Sequence, residues 1–310
     1  MPSPVTLRAS FPDLFGTSAL PALEEMFWSN YEQFPSLRSS LCKIVTRKSD
    51  IYQYSEVHDL SLHAEVPEGS EYTFEAPAAG ANKTLRAVKY GLGVSISEEM
   101  VDDGKFDMIG QMLAMMGRSA RESQEILALN LINNGWTSTL TADGLSLFNT
   151  AHTLPSGLTY RNTLSTQADL SPTSLNQALA DMETQTIGDS GIKYMIKPRI
   201  LLVSPQLKRY ATEIVGSDLK ADTSDNNLNP FKSDGLTVVS SPHFTDEDAW
   251  VLLSEPDRHG LRIFARSPVA TKGAGPDSIG FTTDSILYKS RFREDVGAFH
   301  PKGVFGVQGA

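Results

Sequence analysis

Val88-Lys-Tyr-Gly-Leu-Gly-Val-Ser-Ile-Ser97, running straight into Glu98-Glu-Met-Val-Asp-Asp-Gly104, is the stretch whose reading decides the fold. Val88, Tyr90, Leu92, Val94 and Ile96 alternate with Lys89, Gly91, Gly93, Ser95 and Ser97, the period of a strand with one buried face. At Ser97 the period changes. A capping hydroxyl followed by Glu98 and Glu99 is a helix-start signal with an acidic first turn, and Gly104 then interrupts the helix. Beyond it Phe106, Ile109, Leu113, Met116, Ala120, Leu127 and Leu131 recur at helical spacing, with Arg118, Arg121, Glu122 and Glu125 marking the wetter side. Asn133-Asn-Gly135 supplies the stop. The pattern predicts roughly thirty residues of helix, about 40–45 Å at 1.5 Å per residue, longer than a compact domain needs. Met108, Met112, Met115 and Met116 read as packing residues.

Upstream, Ile51-Tyr-Gln-Tyr-Ser-Glu-Val57 is a second β-prone run. The two runs are separated by a polar segment punctuated by Glu65-Val-Pro-Glu-Gly69 and Ala76-Pro-Ala-Ala-Gly80, far longer than a hairpin turn. The pattern predicts an extended two-stranded tongue, which cannot bury enough surface to be stable alone and needs a partner surface in this chain or in another copy. Before it, Phe11, Phe15, Phe27, Trp28 and Phe34 are interrupted by Pro2, Pro4, Pro12, Pro21 and Pro35, which limits helix to about Ala22–Tyr31. That segment either packs on its own domain or reaches over a neighbour.

Downstream, residues 136–170 are irregular. Ser171-Pro172 caps a helix to about Thr186 with Leu175, Leu179 and Met182 on one face. Arg199-Ile-Leu-Leu-Val-Ser204 reads as a buried strand, and Pro205 opens a helix to about Val215. A polar loop fills 216–233; strands follow at 236–240, 249–253, 261–264 and 286–293, and the tail ends Gly-rich. The fold class is α+β, with two mixed regions and one long protruding hairpin.

Composition narrows the function classes. Forty per cent hydrophobic and 21% charged residues is ordinary globular composition. The Met1-Pro-Ser-Pro start lacks the pattern of a secretory signal, and no apolar run reaches the length of a membrane span. A single cysteine, Cys42, excludes an internal disulfide and a cysteine zinc cluster, and fits a reducing cytoplasm. The formal charge of −10 argues against a dedicated nucleic-acid binder.

These parts, in this order, resemble the major capsid proteins of tailed phages with the Hong Kong 97-type fold. More narrowly, Gly144-Leu-Ser-Leu-Phe148 with Ala151-His152 and Asn162 resembles a stretch of the Mu-like phage major head subunit family. Met182-Glu-Thr-Gln-Thr186 with Gly188 and Gly191, Pro198-Arg-Ile-Leu-Leu-Val203 with Ala211, and Ala249-Trp250 resemble the units that follow. The resemblance implies an N-terminal arm (1–45), an E-loop (46–97), a peripheral domain with a spine helix (98–200), an axial domain (201–275), and a returning strand and tail (276–310). It implies a virion subunit that assembles with copies of itself, as hexamers and pentamers, in the bacterial host cytoplasm, into an icosahedral shell. The shell would enclose double-stranded DNA without sequence-specific binding and without a membrane. The further partners would be a separate scaffolding protein, since nothing before Phe11 could serve as one unless the chain is a processed form, a portal and a decoration protein. An encapsulin-type nanocompartment shell is the alternative, and a hydrolase using His152 a third reading.

No catalytic, cofactor-binding or metal residue is assigned. His152 beside Asn149 and Asn162 invites a catalytic role, but no second histidine lies at metal spacing and no Gly-x-Ser-x-Gly elbow appears, so a structural hydrogen-bonding role is expected. His58 and His63 read as solvated. Asp222, Asp225, Asn226 and Asn227 lack the register of a calcium loop. Gly273-Ala-Gly275 lacks the third glycine and following helix of a dinucleotide site. Cys42 is expected to be a buried small hydrophobe. Lys83 and Lys89 lie in the region that some relatives cross-link, but no motif identifies an acceptor.

Overall fold

The structure, a computed structural model, describes residues 20–57, 59–76, 79–154, 156–185, 188, 190–218, 228–274 and 285–309. In chain order its elements are α1 (Leu20–Gln33), α2 (Arg38–Leu41), β1 (Lys43–Thr46), β2 (Ile51–Val57), β3 (Ala79–Arg86), β4 (Val88–Ser97), α3 (Glu98–Asp102) and α4 (Phe106–Asn133). Then come β5 (His152–Thr153), β6 (Thr159–Tyr160), α5 (Pro172–Gln185), β7 (Ile200–Val203), α6 (Lys208–Gly216) and a short 3-10 turn at Pro230–Asp234. The chain ends with β8 (Thr237–Ser240), β9 (Trp250–Leu253), β10 (Leu261–Ala274), β11 (Ser285–Ala298) and β12 (Val304–Val307).

The opening strand–helix reading holds in outline, except that Ser97 stands at the N-cap in extended conformation and its hydroxyl makes no capping hydrogen bond. β4 leads into α3, Gly104 adopts φ +69°, a left-handed conformation that suits glycine and ends α3, and α4 then runs for 28 residues, about 42 Å. Ile109, Leu113, Met116 and Ala120 on α4 pack with Phe27 of α1 and with Ile96, Tyr288 and Phe292 of the adjoining sheet. Gly117 lets α1 approach closely, because a Cβ there would meet the Phe27 carbonyl. Residues 20–41 therefore pack on their own chain, whereas Phe11, Phe15 and the prolines before Leu20 lie outside the described residues.

Two four-stranded sheets organise the body. The first has the order β1-β10-β11-β4 and the second β12-β9-β7-β8. In the first, β10 and β11 form an antiparallel pair from Leu261↔Ala298 to Ala274↔Leu287, and β11 pairs with β4 from Ser285↔Ser97 to Glu294↔Val88. Its inward face lies on α4. Strands β12, β9 and β7 of the second sheet are buried on both sides, which is why Ile200-Leu-Leu-Val203 and Trp250-Val-Leu-Leu253 read as continuous apolar runs, whereas the edge strand β8 is partly exposed. Leu202, Val251, Leu253 and Val304 face α4 and the first sheet; Leu201, Val203, Trp250, Leu252 and Phe305 face α5 and α6.

The structure departs from the sequence reading in five places. The partner of β2 is β3, in register Ile51↔Arg86 to Val57↔Ala79, and not β4. Ala79-Gly-Ala-Asn-Lys-Thr-Leu-Arg86 carries almost no apolar alternation, so its pattern does not reveal a strand. The alternating face of β4 is only partly covered, with Val88 and Leu92 about half exposed along the free edge of the sheet. Glu125, expected on the wet side of α4, is buried because the Ser36 hydroxyl (2.5 Å) and the Leu37 amide (3.1 Å) donate to it. The strands expected at 261–264 and 286–293 are each 14 residues long, so that β10, within the 201–275 segment, belongs to the first sheet. The tail adds β12, a short strand hidden among glycines.

Candidate functional site: the tongue and its clamp

β2 and β3 form the root of the tongue, and residues 59–76 continue beyond it with a turn at 68–69 and no strand or helix among the described residues. The root is fixed on one side by aromatic packing. Tyr52 stacks edge-on against Phe299 at 5.4 Å and lies 5.7 Å from Phe264, and Tyr54 lies 4.8 Å from Phe299. On the other side it is held by polar contacts. Lys302 pairs with Glu56 at 3.3 Å and sits over the Tyr194 ring at 4.8 Å, while the Tyr194 hydroxyl donates to Asp59. Lys83 donates to the Leu140 carbonyl, and the Arg86 amide donates to Asp295 at 2.9 Å. Burial pushes the Lys83 ammonium below its ordinary range and the Asp295 carboxyl above its own.

Past this clamp the tongue is bare. Phe74 is 92% exposed, Leu62 74%, Tyr72 73% and Leu60 53%. Large apolar groups left in water at this density on one short segment mark a surface that another molecule covers. The segment also alternates. Leu60, Leu62, Ala64 and Val66 are separated by Ser61, His63 and Glu65, and Tyr72 and Phe74 by Thr73. That is a strand pattern without a ladder.

The other residues singled out from the sequence fall into structural roles. His152 is fully buried in the 140–162 loop, its Nδ1 2.7 Å from Asp143 Oδ2 and its Nε2 3.3 Å from the Leu147 carbonyl and 3.2 Å from Asn162 Oδ1. Asn162 Nδ2 donates to the same Leu147 carbonyl, and its Oδ1 accepts from the Asn149 amide at 2.9 Å. Burial alone would raise the Asp143 carboxyl, but hydrogen bonds from His152, Thr141 and the Leu145 amide hold it below the usual range. The three residues meet as the Gly144–Asn162 pattern suggested, and what they do is pin the loop. A cavity of about 250 Å³ opens between Asp143, Tyr160, Glu56 and Lys302. Cys42 is buried, and burial pushes its thiol up to about 12. His63 is exposed on the tongue, and Gly273 lies in β10. His58, Asp222, Asp225, Asn226, Asn227 and Gly275 lie outside the described residues. Among the described residues no group of three or more His, Cys, Asp or Glu could hold a metal ion.

Sequence reasoning missed a buried polar cluster. Arg38 pairs with Glu294 at 2.9 Å, Gln124 Nε2 donates to the same carboxylate at 2.7 Å, and Tyr31 donates to Gln124 at 2.7 Å. It ties the segment after α1 to α4 and β11, residues far apart in sequence, and no local pattern could have shown it. His259, fully buried, and His300, partly buried, lie beside β10 and the β11–β12 connection. Burial, reinforced for His259 by Arg262 and for His300 by Lys302, pushes each imidazole down to about 3.

A long tongue, a long helix under one mixed four-stranded sheet, and a second mixed sheet make up the fold that the comparisons with known proteins recognise. A family model described as phage capsid protein matches residues 81–307. The chain belongs to the phage capsid protein family. Solved structures share the fold. The capsid of cyanophage P-SCSP1u is 14% identical, with 89% of this chain and 88% of that one covered and a TM-score of 0.63. The virus-like particle from Pyrococcus furiosus is 11% identical, covering 94% and 99%, with a TM-score of 0.57. The mature capsid of bacteriophage PhiM1 is 17% identical, covering 89% and 87%, with a TM-score of 0.56. No curated protein matches this chain.

Proposed function

We propose that this capsid subunit belongs to a tailed phage, nearest the Mu-like major head subunits, and that it closes into an icosahedral shell around double-stranded DNA without catalysing a reaction. In this reading residues 46–97 are the E-loop and α4 is the spine helix. The body on the first sheet is the peripheral domain, and the region around the second sheet the axial domain that meets its neighbours in hexamers and pentamers. Shells would assemble in the host cytoplasm with a separate scaffolding protein and a portal, and a decoration protein would bind outside. The ordered segments from Gly144 to Trp250 support the Mu-like relationship. The observation that carries the assembly reading is the exposure of Phe74, Leu62 and Tyr72 on a tongue clamped at its root. Such a segment is stable as drawn only when another copy covers it. His152, with both ring nitrogens occupied inside a closed loop, supports a structural role over a hydrolytic one.

Replacing residues 60–76 with a short Gly-Ser connector tests this. The subunit should keep its circular dichroism spectrum and lose shell formation in electron micrographs. Loss of the folded subunit itself would contradict the assignment. The Pyrococcus furiosus particle shares the fold over nearly its whole length, which keeps the nanocompartment reading in view. Nuclease-protected DNA in purified particles supports the phage head, and protein cargo with no nucleic acid supports the compartment.

A further inference from the structure

On the inward face of the first sheet α4 has two flanks, and among the described residues only one is covered. α1 lies along the first flank, where Gly110 and Gly117 let it come close. This is the β10 side of the sheet, since the Thr271 hydroxyl of β10 donates to Glu24 of α1 at 3.4 Å and Val269 of β10 shares a core with Phe27. β4 stands at the other end of the strand order, beyond β11. At 3.6 residues per turn, Met108, Met115 and Ile126 point within about 20° of the side of α4 opposite Gly117. They are 54%, 69% and 38% exposed, and Met112 between them is partly buried.

The facing wall is the inward side of β4. Its alternate residues share that side with the buried Tyr288 and Phe292 of β11, yet Val88 and Leu92 remain about half exposed because no element lies beneath them. Two elements thus line an open apolar trough that runs about 27 Å from Met108 to Ile126 along the helix. Its walls differ from the seat of α1. Glycines fix α1 at close range, whereas the open flank carries methionines, flexible side chains that adapt to an incoming surface. Where α3 joins α4, at the Met108 end, Glu99, Asp102 and Asp107 are exposed and none forms an ion pair with a described residue, since Lys105 is taken by Asp103 at 2.9 Å.

We infer that this trough docks an amphipathic helix of a different protein, about five turns long, with its apolar stripe between α4 and β4 and basic residues against Glu99, Asp102 and Asp107. The incoming helix mirrors α1 across α4 and completes the layer over the sheet, a helix-in-groove contact. A second copy is a poor occupant. Its α1 and α5 spend their apolar faces inside their own chain, and its α4 brings the same carboxylates with it. The stretch before Leu20 carries Pro2, Pro4 and Pro12, a composition unsuited to a helix of this length. Opposite charge at one end sets the direction in which the helix lies, and salt weakens that part of the contact.

Two labelled synthetic helices of the trough's length test the site, one with leucines on one face and lysines on the other, the second with glutamates in place of the lysines. Fluorescence anisotropy with the full chain should show saturable one-to-one binding of the lysine peptide and binding of the glutamate peptide at least about tenfold weaker. Met115→Ser with Ile126→Ser should weaken the lysine peptide by at least about tenfold and leave melting unchanged, as exposed substitutions do. Asp102→Lys with Asp107→Lys should reverse the preference between the peptides. Glu183→Lys with Glu213→Lys, an equal change of charge on α5 and α6, should leave it as it was. A benzophenone on the lysine peptide should cross-link to Met108, Met112 or Met115. Equal binding of the two peptides, indifference to Met115 and Ile126, or cross-links confined to other elements would overturn the inference. So would a benzophenone side chain in place of Met115 that joins two copies of the chain, which would give the trough to a second copy. None of these measurements needs a shell, so the inference and the capsid reading fail separately.

Discussion

The tongue and the second sheet spend their apolar residues in opposite ways. In the second sheet Trp250, Val251, Leu252 and Leu253 are all fully buried, each facing one of two cores within the same chain. In the tongue Tyr72 and Phe74 stand in water, although the root beneath them is held by Tyr52, Tyr54, Lys302 and Tyr194. Hydrophobic burial at about 25 cal/mol per Å² stabilises the subunit in the first case and has no intramolecular outlet in the second. The difference separates residues that fold the subunit from residues that join subunits.

Four measurements would break or sharpen that division. The largest effect is expected at Trp250. Removing its ring with Trp250→Ala empties the core between the second sheet and α5 and frees the Ala168 carbonyl, to which the indole donates at 3.2 Å. Urea unfolding should show a loss of about 3–5 kcal/mol, enough to abolish a folded subunit. Next is Glu294→Ala, which leaves Arg38 buried without its anion and Gln124 without its acceptor. A cost near 3 kcal/mol is expected by the same assay, and a value under about 1 would show that the cluster does not hold the arm.

The third effect is on pH. The buried His259 imidazole is pushed from 6.5 down to about 3, mainly by burial and then by Arg262. Its unfolded counterpart takes up a proton below pH 6.5 while the folded ring stays neutral. Stability is therefore full above 6.5 and falls as pH drops toward 3, by up to about 1.4 kcal/mol per unit from this residue. His259→Asn keeps an acceptor for the Leu261 amide and removes the titration, so unfolding followed between pH 7 and 4 should show a shallower slope. An unchanged slope would assign acid sensitivity elsewhere. The smallest stability effect is expected at the tip. Tyr72→Ser with Phe74→Ser should move the melting free energy by no more than about 0.5 kcal/mol, as exposed substitutions do, while light scattering shows assembly lost.

Much of the body was legible in the sequence because its elements carry strong local patterns. The strand-to-helix switch at Ser97, the glycine stop at 104 and the uninterrupted run Ile200–Val203 each follow from a short-range rule. Ser171 caps α5 reciprocally with Ser174, the hydroxyl of each accepting the other's amide, one residue before Pro172 opens the helix. What escaped was non-local. β3 lacks periodicity and forms only because β2 lies beside it. Glu125 and Glu294 are buried because Ser36, Leu37 and Arg38 arrive from far away in the chain. The full length of β10 and β11 reflects their pairing across 261–298, where Ser, Thr and charged residues blur the alternation. The His152–Asn162–Asn149 group was visible as a constellation, but only its burial shows that it pins a loop.

The central claim is that the subunit is built to be completed by copies of itself. Negative-stain electron microscopy of the protein, expressed alone and together with the genes flanking its own, tests this most directly. The account predicts closed shells, rings or tubes of regular subunits. A uniform small particle the size of a single 33.8 kDa chain in both preparations would contradict it.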